Sequence, residues 1–167
     1  MIRPQLTYFF YHILTYARTL VSRQLIEPRC CEFPNLNQQF MGRYYQSLYM
    51  GVAQVENGNA PLQAILKIDL ESGARQLWSA APRGFVGEPV FVPRPHASRE
   101  DDGWLLTLVY DATHHRSDLV ILDSLDMNQG PIARLHLKHH IPYGLHGNFV
   151  PRFKTQSRLQ PFVSDLA

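Results

Sequence analysis

From about residue 44 onward the chain alternates short apolar runs with polar, turn-forming breaks. Almost no stretch repeats its apolar residues at the 3.6-residue period of a helix. YYQSLYMGVA is followed by VENGNAP, whose Asn-Gly and Pro form turns. LQAILKIDL then places Leu62, Ala64, Leu66, Ile68 and Leu70 on one side, the pattern of a half-buried strand. ESG turns the chain into ARQLWSA, which predicts a hairpin. PVFVP is bounded by prolines, REDDG leads into WLLTLVYD, ATHHRS into DLVILD, and SLDMNQG into PIARLHL. The expectation is an all-β fold of seven or eight short strands: a sandwich, a barrel or a propeller. Residues 44–80 and 88–138 read as two successive antiparallel sheets.

Composition narrows the function classes. The 167 residues and 19.2 kDa are enough for one domain with a core. A formal net charge of +2, with no basic run interleaved with aromatics, argues against nucleic acid. The only cysteines, Cys30 and Cys31, are adjacent, a spacing that suits two reduced thiols rather than a disulfide or a zinc site. The N-terminal MIRPQLTYFFYHILTYARTL is rich in aromatics but lacks the small-residue cleavage site of a leader. Nor does any stretch reach the roughly 20 apolar residues of a membrane span. The expectation is a cytoplasmic protein, at most in peripheral contact with a membrane, with an apolar strand near the N-terminus and another in RTLVSRQLIE. The tail after Phe153 is polar and without clear alternation.

Three segments concentrate groups able to carry chemistry: CEFPNLN at 31–37, GEPVFVP at 87–93 and YGLHGNF at 143–149. Each sets one polar group among apolar and turn-forming residues, where a carboxylate or imidazole needs a partner. From the residues alone two readings stay open. Glu32 and Glu88 cap turns or pair with an arginine such as Arg43 or Arg83, and His146 is a packed imidazole. Alternatively, His146 binds a metal, and the carboxylates stand behind the ligands, fixing ring tautomer and orientation. HLKHH gives His136, His139 and His140 the i, i+3, i+4 spacing of a helix face. It falls at a strand end, where side chains alternate, so these read as solvated polar residues. His114 and His115 lie in a turn and His96 follows a proline, both surface contexts; His12 reads as packed among aromatics.

RCCEFPNLNQQFMGRYYQSLYM, GEPVFVPRPHASREDDGWLLTLVYDATHHRSDLVILD and ARLHLKHHIPYGLHGNFVP resemble, in order and spacing, the C-terminal third of the carotenoid cleavage oxygenases. The resemblance covers about residues 20–153. It implies a seven-bladed β-propeller, of which residues 23–153 supply about two antiparallel blades of an incomplete ring. Residues 1–22 match poorly and 154–167 form a tail. It further implies Fe(2+) held by four histidines, with His146 as the last of them and Glu32 and Glu88 as carboxylates behind the ligands. The implied reaction is oxidative cleavage of a conjugated double bond by O2, on an apolar polyene or stilbene-like molecule. In the family the other three histidines and a further glutamate lie upstream of the matched portion. The expectation is therefore a C-terminal fragment, inactive as an isolated chain, whose edges call for a complementing chain or self-association. The alternatives are a truncated relic or β-sheet interaction module without metal, and an unrelated β-sandwich.

Overall fold

The computed structural model describes the backbone of residues 9–14, 19–56 and 61–151 and, from residue 25 onward, their side chains. Among these residues there are strands and two single-turn 3-10 segments, Gln38–Phe40 and Met127–Gln129, and no α-helix. No helix among them is long and apolar enough to cross a membrane. Strands β1 (Phe9–Leu14) and β2 (Thr19–Leu25) pair antiparallel. Strands β3 (Cys31–Asn35), β4 (Ser47–Ala53), β5 (Leu62–Asp69) and β6 (Arg75–Ser79) follow as an antiparallel meander in chain order. The expected hairpin is β5–β6, with Ile65 opposite Trp78. The Asn-Gly turn expected in VENGNAP lies outside the described residues.

The second sheet is built from β7 (Gly84–Val86), β8 (Val90–Pro93), β9 (Gly103–Asp111), β10 (Arg116–Asp123) and β11 (Pro131–His136). β7 and β8 share one edge of β9: β7 pairs with Val109–Asp111 and β8 with Gly103–Leu106. Gly87, Glu88 and Pro89 form the step between them, so Glu88 leaves the ladder where the edge is handed on. Pro89 has no N–H to give a ladder, which suits an interrupted edge. The three-residue β7 was not legible in the sequence, being too short to show alternation. On the far side β10 continues the sheet to β11.

The two sheets enclose one apolar core. Tyr49, Ile65 and Trp78 of the first meet Val86, Phe91, Leu105, Val109, Val120 and Leu122 of the second, with Met127 closing one end. Burial corrects the reading of LQAILKIDL. β5 is buried on both faces from Ala64 to Ile68, not half-buried. Ile65 faces the inter-sheet core, whereas Ala64, Leu66 and Ile68 join Cys31, Leu48, Met50 and Val52 in a second cluster. Lys67 hid this from the sequence, because a charged residue inside the run reads as a solvent face. Its ammonium is instead buried and paired. Burial also pushes the Cys31 thiol up to about 12, so it packs as an inert small hydrophobe.

At the start of β9, Gly103 lies opposite Pro93. A methyl group there would run into the Phe91 ring and the Val92 carbonyl. Gly103→Ala is expected to cost about 1–3 kcal/mol by overpacking. Urea unfolding checks this, with no loss of midpoint as the contrary result.

Candidate functional site

The three segments singled out by sequence converge in space. Glu88, on the step between β7 and β8, is nearly buried, with a side chain 12% exposed. Its Oε2 accepts the backbone N–H of Gly147 at 2.6 Å, and its Oε1 lies 3.5 Å from Nδ1 of His146. Asn35 donates from Nδ2 to the same Oε1 at 3.4 Å. One carboxylate thus ties together residues more than 50 positions apart in the chain. Its partners are an amide, a backbone N–H and an imidazole rather than Arg43 or Arg83; Arg83 donates to the Ala112 carbonyl.

The approach of β3 depends on local backbone chemistry. Glu32 pairs with Gly51 and Asn35 with Tyr49, so Phe33 and Pro34 together oppose Met50 alone, a β-bulge. Phe33 adopts φ 59°, a conformation that a bulky residue holds only when its surroundings demand it. The bulge turns the Phe33 ring edge-on to the His146 imidazole, with centroids 6.0 Å apart and planes at 88°. Gly51 lies beside both segments. A Cβ there would lie 3.7 Å from the carbonyl oxygens of both Glu32 and Gly87, so the two glutamates stand on segments flanking one glycine.

His146 itself is largely open, its side chain 77% exposed. Against it lies a cavity of about 370 Å³, lined by Phe85, Leu106, Leu108, Leu119 and Tyr143 together with Glu88 and His146. A second cavity of about 640 Å³ shares Glu88 and is bordered by Asn35, Val92, Asn148 and Phe149. Apolar walls with a few convergent polar groups are the usual make-up of a small-molecule site.

A carboxylate can only accept, so the geometry favours a proton on Nδ1 of His146 and leaves Nε2 with its lone pair. That is the donor a divalent metal takes from a neutral imidazole. The fit extends to one ligand and its supporting carboxylate. Among the described residues no three His, Cys, Asp or Glu side chains gather as a metal would require.

The other histidines are elsewhere. His96, His114 and His115 are exposed, as expected. His114 bonds the Asp111 carboxylate at 2.7 Å, the main reason that carboxyl is drawn down to about 2. The side chain of His12 lies outside the described residues. All three histidines of HLKHH are exposed, as expected, and two of them also have partners. His136 Nδ1 lies 2.8 Å from the fully buried Asp118, which Arg116 and Arg134 also approach at 3.3 Å, and His140 packs edge-on against Tyr110. The sequence reading missed Asn35, Phe33 and Asp118. Only the bulge-forming Pro34 inside CEFPN hinted at the first two.

Comparison with known proteins gives a consistent picture. The family described as retinal pigment epithelial membrane protein matches residues 4–151. The apocarotenoid-15,15'-oxygenase of Synechocystis is 59% identical over 133 residues, 80% of this chain and 27% of that protein. The lignostilbene-alpha,beta-dioxygenase isozyme III of Sphingomonas paucimobilis is 32% identical over 132 residues, 74% of this chain and 27% of that protein. The crystal structure of the cobalt-substituted Synechocystis apocarotenoid oxygenase superposes with a TM-score of 0.76 at 60% identity, covering 78% of this chain and 27% of that one. This chain therefore spans about a quarter of the length of these relatives.

Proposed function

Because this chain belongs to the retinal pigment epithelial membrane protein family, which includes the carotenoid and apocarotenoid oxygenases, we propose that it supplies part of a non-haem iron oxygenase. In this reading the two sheets are two blades of a seven-bladed propeller. His146 is one of four histidines on Fe(2+), and Glu88 and Glu32 are the carboxylates behind the ligands. The observation that carries the reading is the grip of Glu88 on both His146 and Gly147, which holds the imidazole edge at the mouth of an apolar cavity.

Each residue has a definable task. Glu88 keeps the proton of His146 on Nδ1 and so offers Nε2 outward. The Gly147 N–H fixes the carboxylate from its other oxygen, so the ring is oriented by the backbone as well as by a side chain. Phe33 packs edge-on against one side of the imidazole. Phe85, Leu106, Leu108 and Leu119 offer an extended apolar molecule a dry wall, with no buried charge to reject it other than Glu88. When bound, the iron would supply the redox chemistry by which O2 cleaves a conjugated double bond. Imidazole ligands, which carry no charge, suit that metal.

Relatives are named for apocarotenoid, resveratrol and lignostilbene substrates, which supports an apolar polyene or stilbene-like substrate here. The remaining histidines lie in sequence outside the portion matched here, on the same or a complementing polypeptide, in a cytoplasmic or peripherally membrane-associated assembly. The test is the iron content of this chain assembled with a polypeptide that carries those histidines. Stoichiometric iron, lost in His146→Ala and bound about 10–100-fold more weakly in Glu88→Gln, supports the proposal. Iron retained in full by His146→Ala, or an assembly that folds and binds no iron, defeats it in favour of a metal-free interaction module.

A further inference from the structure

Asn35 spends a hydrogen-bonding group for which nothing on its own strand accounts. Its Oδ1 is buried and has no hydrogen-bond partner among the described residues, while its Nδ2 donates to Glu88 Oε1. Exchanging the two amide atoms would point an oxygen at a carboxylate, so the orientation is fixed by Glu88. A buried acceptor left unmade carries a cost, and such a group calls for an explanation. The backbone around it carries another. Asn35 reaches Glu88 only because Phe33, at φ 59°, and Pro34 form the bulge that opposes Met50. The same bulge sets the Phe33 ring against His146. Two costs on three consecutive residues thus converge on one carboxylate–imidazole pair.

We infer that Asn35 is a positioning residue for His146. Placed by the Phe33–Pro34 bulge, its amide steers Oε1 of Glu88 toward Nδ1, and so selects the tautomer that leaves Nε2 free. Gly147 holds Oε2 and fixes where the carboxylate sits. Asn35 decides which way its second oxygen faces. This inference rests on the proposed role of His146, and one measurement separates the two.

The experiment reads the ring nitrogens of His146 by long-range 1H–15N NMR in the full 167-residue chain. It is run at about pH 8.5, where an ordinary imidazole is neutral. The expected result is a predominantly Nδ1–H tautomer in the native chain. In Asn35→Ala and in the near-isosteric, uncharged Asn35→Leu, the tautomer ratio shifts about three- to tenfold toward Nε2–H, as the loss of one aligned hydrogen bond implies. Asn35→Leu keeps the side-chain volume, so it decides the matter if Asn35→Ala fails to fold. A merely structural asparagine would lower the unfolding midpoint without moving the tautomer. A native Nδ1–H tautomer that survives both substitutions overturns the role of Asn35 alone and leaves that of His146 standing. A native Nε2–H tautomer overturns the pairing with Glu88, and with it both proposals.

Discussion

Tyr49→Ala is expected to destabilise the chain by about 3–5 kcal/mol, the range for emptying a buried aromatic site. Tyr49 is wholly buried between the two sheets and stacks on Phe91, with centroids 5.3 Å apart and planes at 15°. Its hydroxyl shares a 2.7 Å hydrogen bond with the buried Ser124, so even the polar end is satisfied. Burial pushes that phenol well above the ordinary tyrosine value, so it stays neutral at any pH at which the fold is studied. Tyr49→Phe keeps the stack and loses only the bond, leaving the Ser124 hydroxyl short of a partner, for a cost of about 1 kcal/mol. Chemical denaturation of the two variants checks the ratio. A domain is stable by only about 5–15 kcal/mol in all, so the alanine variant should sit near its unfolding threshold. Equal losses in both variants would mean that the hydroxyl bond, not the inter-sheet stack, holds this part of the core.

Lys67→Ala is the second large effect, expected at about 3 kcal/mol. The Lys67 ammonium is buried and lies 2.8 Å from both Asp101 Oδ2 and the Ser124 carbonyl oxygen, linking β5 to the two adjacent segments at the open end of the β9–β10 hairpin. Removing it leaves Asp101 with Arg99 as its remaining cation, an exposed one at 3.0 Å, which places the loss at the low end of the range for broken buried pairs. The sign of the pH dependence follows from Asp101. Burial opposes its ionisation, but the hydrogen bonds and charges of Lys67 and Arg99 outweigh burial and hold its pKa below the ordinary value. Its contribution is therefore fully present above the unfolded value of about 4 and lost as pH falls through the lower folded value. Without Lys67 the acid limb of the stability curve should flatten. Urea midpoints at neutral and acid pH, in the native chain and Lys67→Ala, measure this. Parallel acid limbs would show that Lys67 does not set the ionisation of Asp101.

The strands were legible because their signals are local. β5 and β6 turn on ESG, and β9, β10 and β11 are separated by ATHHRS and SLDMNQG. Each hairpin closes over a few residues, so turn chemistry and apolar runs suffice to mark it. Failures came where a residue's environment is made by remote chain. Lys67 looks like a solvent face until Asp101, 34 residues on, is brought against it. β7 is too short to carry a pattern and exists because β9 is long enough to pair with two partners along one edge.

The same division runs through the candidate site. The sequence by itself determined which segments matter: CEFPN, GEP and LHG stand out because a charged or imidazole group amid apolar and turn residues needs a partner somewhere. It also determined the all-β class, through the period of its apolar residues. Only the tertiary structure decided which partners these groups found. Glu88 met a backbone N–H and an amide, and the Phe33–Pro34 bulge aimed one side chain at His146 and another at the carboxylate behind it. Register, bulge and the step between β7 and β8 arise from pairing between distant strands. Hydrogen-bond direction at Glu88 is set by that pairing, and no local pattern encodes it.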